Sequence, residues 1–222
     1  MMKIVKITSM LVLLMSFIAC KKDSVAPQQK NEPFDIRKYV LVTKKTNSSG
    51  WVEDIRLTSF EAQSKSIIFT EGGNIPDDGF NYSYDNGILK LFYGLSLQNE
   101  LKIENKNITS TTESVAGKSY KLIEIPTDNP LNGNTYAGGW KAEGSLVTTV
   151  ASLKFTDTHY SEASFNLPVP NKTYALFKNI AAFKYDATDR VMSFWLFSDG
   201  KVEGYRKYYT TNNRLTGTFI KK

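Results

Sequence analysis

Apolar and polar residues alternate over short stretches through most of the chain after residue 34. Aromatic residues occupy alternate positions from Phe80 to Tyr84, and after Asp85-Asn86-Gly87 the alternation resumes through Leu89–Tyr93. A period of two residues is typical of a strand with one buried face. Because Asn-Gly favours the positive φ angles of a tight turn, this segment predicts a β-hairpin.

Other stretches repeat the pattern. Val191–Phe197 and Val202–Tyr209 flank Ser198-Asp199-Gly200 and predict a second hairpin. Val147–Phe155 predicts another strand, which continues through a turn into His159–Phe165. Ser59–Ser66 is the only segment after residue 34 that predicts a helix, and a short one. The remaining predicted strands are Tyr39–Thr43, Trp51–Leu57, Ser66–Thr70, Leu101–Ile103, Ile108–Thr112, Tyr120–Ile125, Ile180–Tyr185 and Leu215–Ile220.

Many short strands at this spacing predict an all-β domain over residues 34–222, with an antiparallel meander that closes into a β-barrel. A weak internal similarity leaves a second arrangement open. Phe69-Thr70-Glu71 is repeated as Phe155-Thr156-Asp157, and Tyr84-Asp85 as Tyr185-Asp186. Two tandem small β-sandwich or half-barrel modules, with a boundary near 113–118, would also explain this pattern.

The first nineteen residues differ from the rest. Lys3 and Lys6 precede an apolar stretch that ends at Ala19, directly before the only cysteine in the chain, Cys20. A basic start, a short apolar run and a small residue at its end predict a secretory signal. The run is too short to cross a bilayer, which requires about 20 apolar residues.

Phe17-Ile18-Ala19-Cys20 resembles the lipobox of bacterial lipoproteins, in which the cysteine is acylated and becomes the new N-terminus. Lys21-Lys22-Asp23 resembles the charged export signal that follows this cysteine in Bacteroidota lipoproteins. The resemblance implies a protein anchored to the outer membrane by acyl chains on Cys20, on its periplasmic or cell-surface face. Residues 20–33 are poor in large apolar side chains and predict a flexible tether.

The order of strands resembles the lipocalin-like lipoproteins of Bacteroidota: an aromatic strand, a tight turn, a leucine-rich strand and a closing hairpin. A lipocalin's first strand usually carries Gly-x-Trp, whereas here the glycine directly precedes the tryptophan at Gly50-Trp51 and Gly139-Trp140. This departure leaves two alternatives to a true lipocalin, a looser, calycin-like barrel or two tandem small β modules. The resemblance implies that a ligand binds in the mouth of the barrel.

Charge gives little support to nucleic-acid binding. The chain has 28 basic and 22 acidic residues, a net charge of +6. Loss of residues 1–19 removes Lys3 and Lys6 and no acid, which lowers the net charge to +4. No basic run is longer than Lys-Lys, so we expect no nucleic-acid partner.

The residues needed for common catalytic chemistry are scarce. His159 is the only histidine, and it lies beside a predicted turn without a nucleophile motif nearby. One histidine and one cysteine cannot form a zinc site of the usual kind. Most aspartates fall where turns require them, although paired carboxylates leave a hydrolase as a remaining alternative. We therefore predict no catalytic residues, no metal and no cofactor.

Aromatic residues, 13% of the chain, provide the candidate binding residues. Thr127–Trp140 is predicted to be a long loop rich in Gly and Pro, in which Tyr136 and Trp140 are placed to contact a ligand. Tyr205 and Tyr209 share one face of a predicted hairpin arm, whereas Tyr208 and Arg206 lie on the other. The leading hypothesis is a non-catalytic module that binds a small apolar ligand or a glycan. The alternative is a structural or interaction subunit of an envelope complex, or an inhibitor of a secreted enzyme.

Overall fold

The computed structural model describes residues 34–61, 65–70, 77–112 and 116–222, with the backbone alone at 65–70 and 77–80. The predicted signal segment, Cys20 and the tether lie outside the described residues. Across the described residues, no helix has the length and apolar character needed to cross a membrane. A single 3-10 turn, Ile36–Lys38, precedes the first strand.

The first sheet is an antiparallel meander of eight strands within the described part of the chain. Its spatial order is β7-β6-β5-β4-β3-β2-β1-β8, so the first strand also pairs with the last. Its strands are β1 (Tyr39–Thr46), β2 (Val52–Phe60), β3 (Lys65–Thr70), β4 (Asp77–Asp85), β5 (Ile88–Tyr93), β6 (Ser96–Glu104), β7 (Asn107–Thr111) and β8 (Lys118–Glu124).

The second sheet has nine strands in the order β12-β11-β10-β9-β17-β16-β15-β14-β13. β9 pairs with β17, and only Tyr174 separates β12 from β13 along the chain, so the sheet forms a nearly closed barrel. Its strands are β9 (Thr135–Ala142), β10 (Thr148–Phe155), β11 (His159–Ala163), β12 (Lys172–Thr173), β13 (Ala175–Phe177), β14 (Ala181–Asp186), β15 (Val191–Ser198), β16 (Lys201–Tyr208) and β17 (Asn213–Lys221). The predicted all-β, barrel-forming fold is confirmed.

The two predicted hairpins are present. Asn86 and Gly87 have φ angles of 49° and 79° and join β4 to β5, as the Asn-Gly pair predicts. Asp199 and Gly200 have φ angles of 54° and 74° and join β15 to β16. Residues with little penalty at positive φ therefore set both turns locally.

Two sequence predictions differ from the structure. The predicted helix at Ser59–Ser66 is wrong, because Ser59 and Phe60 end β2, and Lys65 and Ser66 begin β3. Hydrogen bonding between these two strands outweighs the weak local helical pattern. The chain also passes from the first sheet to the second between Glu124 and Thr135, and not near 113–118, because β8 still pairs with β1.

The two sheets pack against each other through the outer face of β1 and β2. Leu41 points into the first sheet, whereas Val40 and Val42 belong to a buried cluster shared with Phe194 and Leu196 of the second. Because successive residues of a strand face opposite sides, β1 is buried on both faces. This shared cluster holds the barrel formed by the second sheet, which we call the second barrel, against the first sheet.

Candidate functional site

A cavity of about 620 Å³ opens at one end of the second barrel. It lies where β9, β11, β14 and β16 end, and its lining includes Trp140, Ala151 and Tyr160 from the barrel's buried cluster. The opposite half of the interior is filled by large side chains, among them Tyr136, Phe155 and Phe219. We call these the open half and the closed half of the barrel.

The cavity exists because interior side chains become smaller or polar toward the open end. Along β10 the inward positions are Phe155, Leu153, Ala151 and Thr149, in that order from the closed half to the open half. Phe155 and Leu153 are fully buried, whereas Ala151 and Thr149 line the cavity. Because the inward side chains become smaller toward the open half, a cavity remains there although the strands are regular and the sheet has no break.

An ion pair lies beside Trp140 in the wall of the cavity. Arg206 of β16 donates to both carboxylate oxygens of Glu162 on β11, at 3.2 Å to Oε1 and 2.5 Å to Oε2. The indole Nε1 of Trp140 donates to Glu162 Oε1 at 2.7 Å, and Arg206 Nε donates to Ser193 Oγ at 3.0 Å. Four strands are thus connected by charge-assisted hydrogen bonds.

The guanidinium group of Arg206 also stacks on the indole ring, with Cζ 4.4 Å from the ring centroid of Trp140. Burial lowers the pKa of Arg206, but hydrogen bonding and attraction to Glu162 outweigh this effect, and the net pKa lies above its ordinary value. The pair is mostly buried, with side-chain exposures of 13% for Arg206 and 16% for Glu162. Arg206 therefore remains charged and oriented.

Gly204 makes room for this arrangement. It precedes Arg206 on the same inward face of β16, and an added Cβ would lie 2.6 Å from Cη2 of Trp140. Real Cβ atoms do not approach carbon atoms so closely. A residue without a side chain at this position allows the indole ring to lie flat across β16.

The rest of the cavity wall carries balanced charge. Lys172, Lys184 and Arg206 contribute three positive charges, and the acidic side chains that line the cavity are equal in number: Glu162, Asp186 and Asp189. Lys184 Nζ lies 4.0 Å from Asp186 Oδ2, and Lys172 Nζ lies 5.9 Å from the ring centroid of Tyr160. The lining offers many donors and acceptors with little net charge.

Tyr160 lies where the open half meets the closed half. Its ring packs on Trp195 at a centroid distance of 4.5 Å, and burial raises the pKa of its hydroxyl to about 12. The hydroxyl is therefore protonated at neutral pH and able to donate a hydrogen bond.

The four aromatic residues predicted as binding residues occupy different places, and only Trp140 lines this cavity. The predicted loop Thr127–Trp140 ends early, because Thr135–Ala142 forms β9 and pairs with both β10 and β17. Tyr136 on this strand is fully buried in the closed half, and its hydroxyl donates to Pro130 O at 2.9 Å.

The remaining two tyrosines lie outside the barrel interior. Tyr205 is buried between the sheets, and its hydroxyl donates to Glu203 Oε2 at 2.8 Å. Tyr209 follows β16, with its ring centroid 6.2 Å from that of Tyr185. The cavity-facing pair on this hairpin arm is Arg206 and Tyr208. The sequence does indicate this pair, because Arg206 and Tyr208 occupy alternate positions after the apolar Val202. All three residues therefore share one face of β16, and Arg206 marks that face as partly polar.

A second groove, of about 520 Å³, lies outside the barrel beside Trp51. It is lined by Gly139 and Gly217 and by Tyr205, and Lys141 Nζ lies 5.6 Å from the Trp51 ring centroid. Its floor is largely backbone. It therefore offers fewer directed polar groups than the barrel cavity.

The cavity contains no histidine. His159 begins β11 at the closed half, and its Nδ1 lies 2.8 Å from Thr158 Oγ1. Within the described residues, no group of three or more His, Cys, Asp or Glu side chains is placed to hold a metal ion.

Comparison of the chain with protein-family models, with curated proteins and with solved structures finds no match in any of the three.

Proposed function

We propose that this chain is a non-catalytic binding module whose second barrel takes a small, uncharged, polyhydroxylated ligand of the carbohydrate class in its open half. The observation that supports this proposal is the charge-balanced, hydrogen-bonding lining of a cavity of about 620 Å³. That volume is within the range of small-molecule sites.

The lining favours a glycan over an apolar ligand. Burying six charged side chains beneath an acyl chain would remove water without replacing its hydrogen bonds, which is costly. Sugar hydroxyls both donate and accept, and can therefore satisfy carboxylates and ammonium groups together. Tyr160 and Tyr208, which line the cavity, supply the apolar contact that a sugar ring also requires.

The contacts of Glu162 support a binding role for the site. Both of its carboxylate oxygens already accept hydrogen bonds from Arg206, and one also accepts from Trp140. A general acid or base needs an oxygen that is free to exchange a proton with substrate. We therefore assign Glu162 to positioning Arg206 and Trp140.

We further propose that the domain is exported and anchored through Cys20 at the outer membrane. Support comes from the sequence of residues 1–23 and its resemblance to lipoprotein signals. Mass spectrometry of the membrane-extracted protein should find an acylated N-terminal Cys20. An unmodified chain that still begins at Met1 would overturn the anchor and leave the binding proposal intact.

The binding proposal is tested by saturation-transfer NMR with a panel of neutral monosaccharides and disaccharides, and with palmitate as the apolar competitor. We expect transfer to at least one saccharide, and loss of that transfer in Tyr208→Ala, which removes a cavity side chain. Tyr209→Ala is the matched control, because the adjacent residue does not line the cavity.

Three outcomes would contradict the proposal. One is binding of palmitate alone, and a second is saccharide binding that survives Tyr208→Ala. The third is no transfer to any ligand in the panel, which would favour an interaction subunit.

A further inference from the structure

The exposed apolar side chains are concentrated at one end of the folded domain. Among the described residues, eleven large apolar side chains are exposed, and all but Leu176 and Ile220 lie at or near strand ends on this side. Six of these side chains, which we call the apolar tips, are Leu95, Leu97, Leu146, Val147, Phe165 and Val169.

Both sheets contribute to this end. β1 and β5 run in the same direction, so the β5–β6 turn with Leu95 lies at the same end as the loop between β1 and β2. That loop contacts the β9–β10 loop of the second barrel, where Asn47 Nδ2 donates to Glu143 Oε1 at 3.3 Å. The end of the first sheet to which the β5–β6 turn belongs is therefore in contact with the β9–β10 loop of the second barrel.

Four of the tips, Leu146, Val147, Phe165 and Val169, lie in loops at the end of the second barrel where the cavity opens. The β9–β10 loop carries Leu146, 95% exposed, and the β11–β12 loop carries Phe165, 84% exposed. Residues 164–171 of the latter loop contain no charged residue. Side chains this exposed make few contacts with their neighbours, and a group of them at one end of a monomer is the kind of surface that marks an interaction site.

The end of the second barrel that carries apolar tips is positively charged. Segments 141–149, 162–172, 184–191 and 206–214 form this end and hold seven basic and four acidic residues. Residues 34–124, which form the first sheet, hold eleven basic and twelve acidic residues. The excess of +3 thus lies behind the tips of the second barrel, Leu146, Val147, Phe165 and Val169.

We infer that this end of the domain docks onto an anionic lipid surface, with the apolar tips entering the headgroup region and the basic side chains behind them contacting lipid phosphates. The tips are separate from one another and do not form a single shaped surface. Such tips can enter a fluid lipid surface, because lipid adapts to them and no surface of complementary shape is needed. Apolar residues at the interface and nearby Lys or Arg residues both contribute to membrane binding. This inference depends neither on the ligand of the cavity nor on acylation.

The test uses the full chain with Cys20→Ser, which removes the only cysteine and any acyl anchor. An environment-sensitive NBD label is attached at Leu146→Cys or Phe165→Cys, and at Ile220→Cys as the matched exposed apolar control. The labelled proteins are mixed with vesicles of phosphatidylcholine containing phosphatidylglycerol, and with vesicles of phosphatidylcholine alone.

We expect blue-shifted, brighter emission at positions 146 and 165 with the anionic vesicles, a weaker response with phosphatidylcholine alone, and none at position 220. Neutralising two basic side chains behind the tips, Arg190→Gln with Lys207→Gln, should weaken vesicle binding about fivefold for each charge removed. Lys201→Gln with Lys221→Gln is the control pair distant from the tips and should leave binding unchanged.

The inference is overturned if labels at 146 and 165 do not respond, which would favour a protein partner for the apolar tips. An equal response at position 220 would also overturn it, because the contact would then have no orientation. Because residues 1–33 are the same in every variant, their own affinity for lipid cannot produce a difference between label positions.

Discussion

The closed and open halves of the second barrel are built from the same strands but hold opposite kinds of side chain. In the closed half, Phe155 packs edge-on against Tyr136 and Trp195, with ring centroids 6.1 and 5.8 Å apart. In the open half, Arg206 and Glu162 occupy the equivalent inward positions. The same antiparallel strands thus carry aromatic side chains in one half and charged side chains in the other. The identity of the inward side chains alone decides which half is packed and which is hollow.

The two halves are expected to differ in what they contribute. The packed aromatic rings of the closed half should stabilise the barrel most, because burial of apolar surface is the main favourable term in folding. The charged groups of the open half should contribute less to stability, because the cost of removing them from water offsets their mutual attraction. We propose that they serve recognition instead.

Removing a ring from the closed half should cause the largest loss of stability. Phe155→Ala would leave a cavity among Tyr136, Tyr160 and Trp195, and we expect a loss of about 4 kcal/mol in the free energy of unfolding. Urea denaturation measures it. Val150→Ala, on the exposed outer face of the same strand, is the control and should change stability by less than about 0.5 kcal/mol. Equal effects would mean that the closed half is not a packed core.

Breaking the ion pair in the open half should cost less. Arg206→Met leaves Glu162 without its main partner in a mostly buried site, and we expect a loss of about 3 kcal/mol. Arg206→Met combined with Glu162→Leu should recover most of that loss, since neither charge then remains. The exposed pair Lys102–Glu104 is the control, because Lys102→Met should cost less than about 1 kcal/mol. A double variant as unstable as the sum of the single variants would contradict this account.

The smallest expected effect is the dependence of stability on alkaline pH. Burial raises the pKa of Tyr160 to about 12, above the ordinary value of 10.0 in the unfolded chain. The unfolded chain therefore loses this proton first, so the contribution is complete below pH 10 and is lost as the pH rises toward 12. At pH 11 the loss should be roughly 1 kcal/mol.

Tyr160→Phe should be less sensitive to pH over that window, because no phenol remains at this position to ionise. Comparing urea denaturation of both proteins at pH 7 and pH 11 isolates this contribution. If both lose the same stability between the two pH values, Tyr160 is not the group responsible.

Much of the fold could be predicted because its signals are local. The alternation in Val147–Phe155 and Val191–Phe197 corresponds to β10 and β15, and Asn86-Gly87 forms the predicted turn. The strand β9 was not predicted, because Tyr136-Ala137-Gly138-Gly139-Trp140 has the composition of a loop. Its glycines in fact allow close approach of neighbouring strands: a Cβ on Gly138 would lie 2.0 Å from Thr218 O.

The candidate site was less predictable than the fold. Trp140 lines the cavity, but the sequence pattern predicts a loop at this position, whereas Trp140 lies on strand β9 and faces the barrel interior. Arg206 and Glu162 are 44 positions apart, and no local pattern indicates that they meet. The alternation predicts that Tyr205 and Tyr209 share one face of their hairpin arm. The first sheet covers Tyr205 on this face, so Tyr205 does not line the cavity.

The sequence by itself determined most of the strands, two of their turns and which residues of those strands share a face, because a two-residue period and tolerance of positive φ depend only on near neighbours. Tertiary structure alone decided that β9 closes onto β17, that β1 is covered on both faces, and that one half of the barrel is hollow. These outcomes depend on contacts between residues distant in the chain. The free energy of such contacts comes from burial and charge pairing, which exist only once the strands have come together.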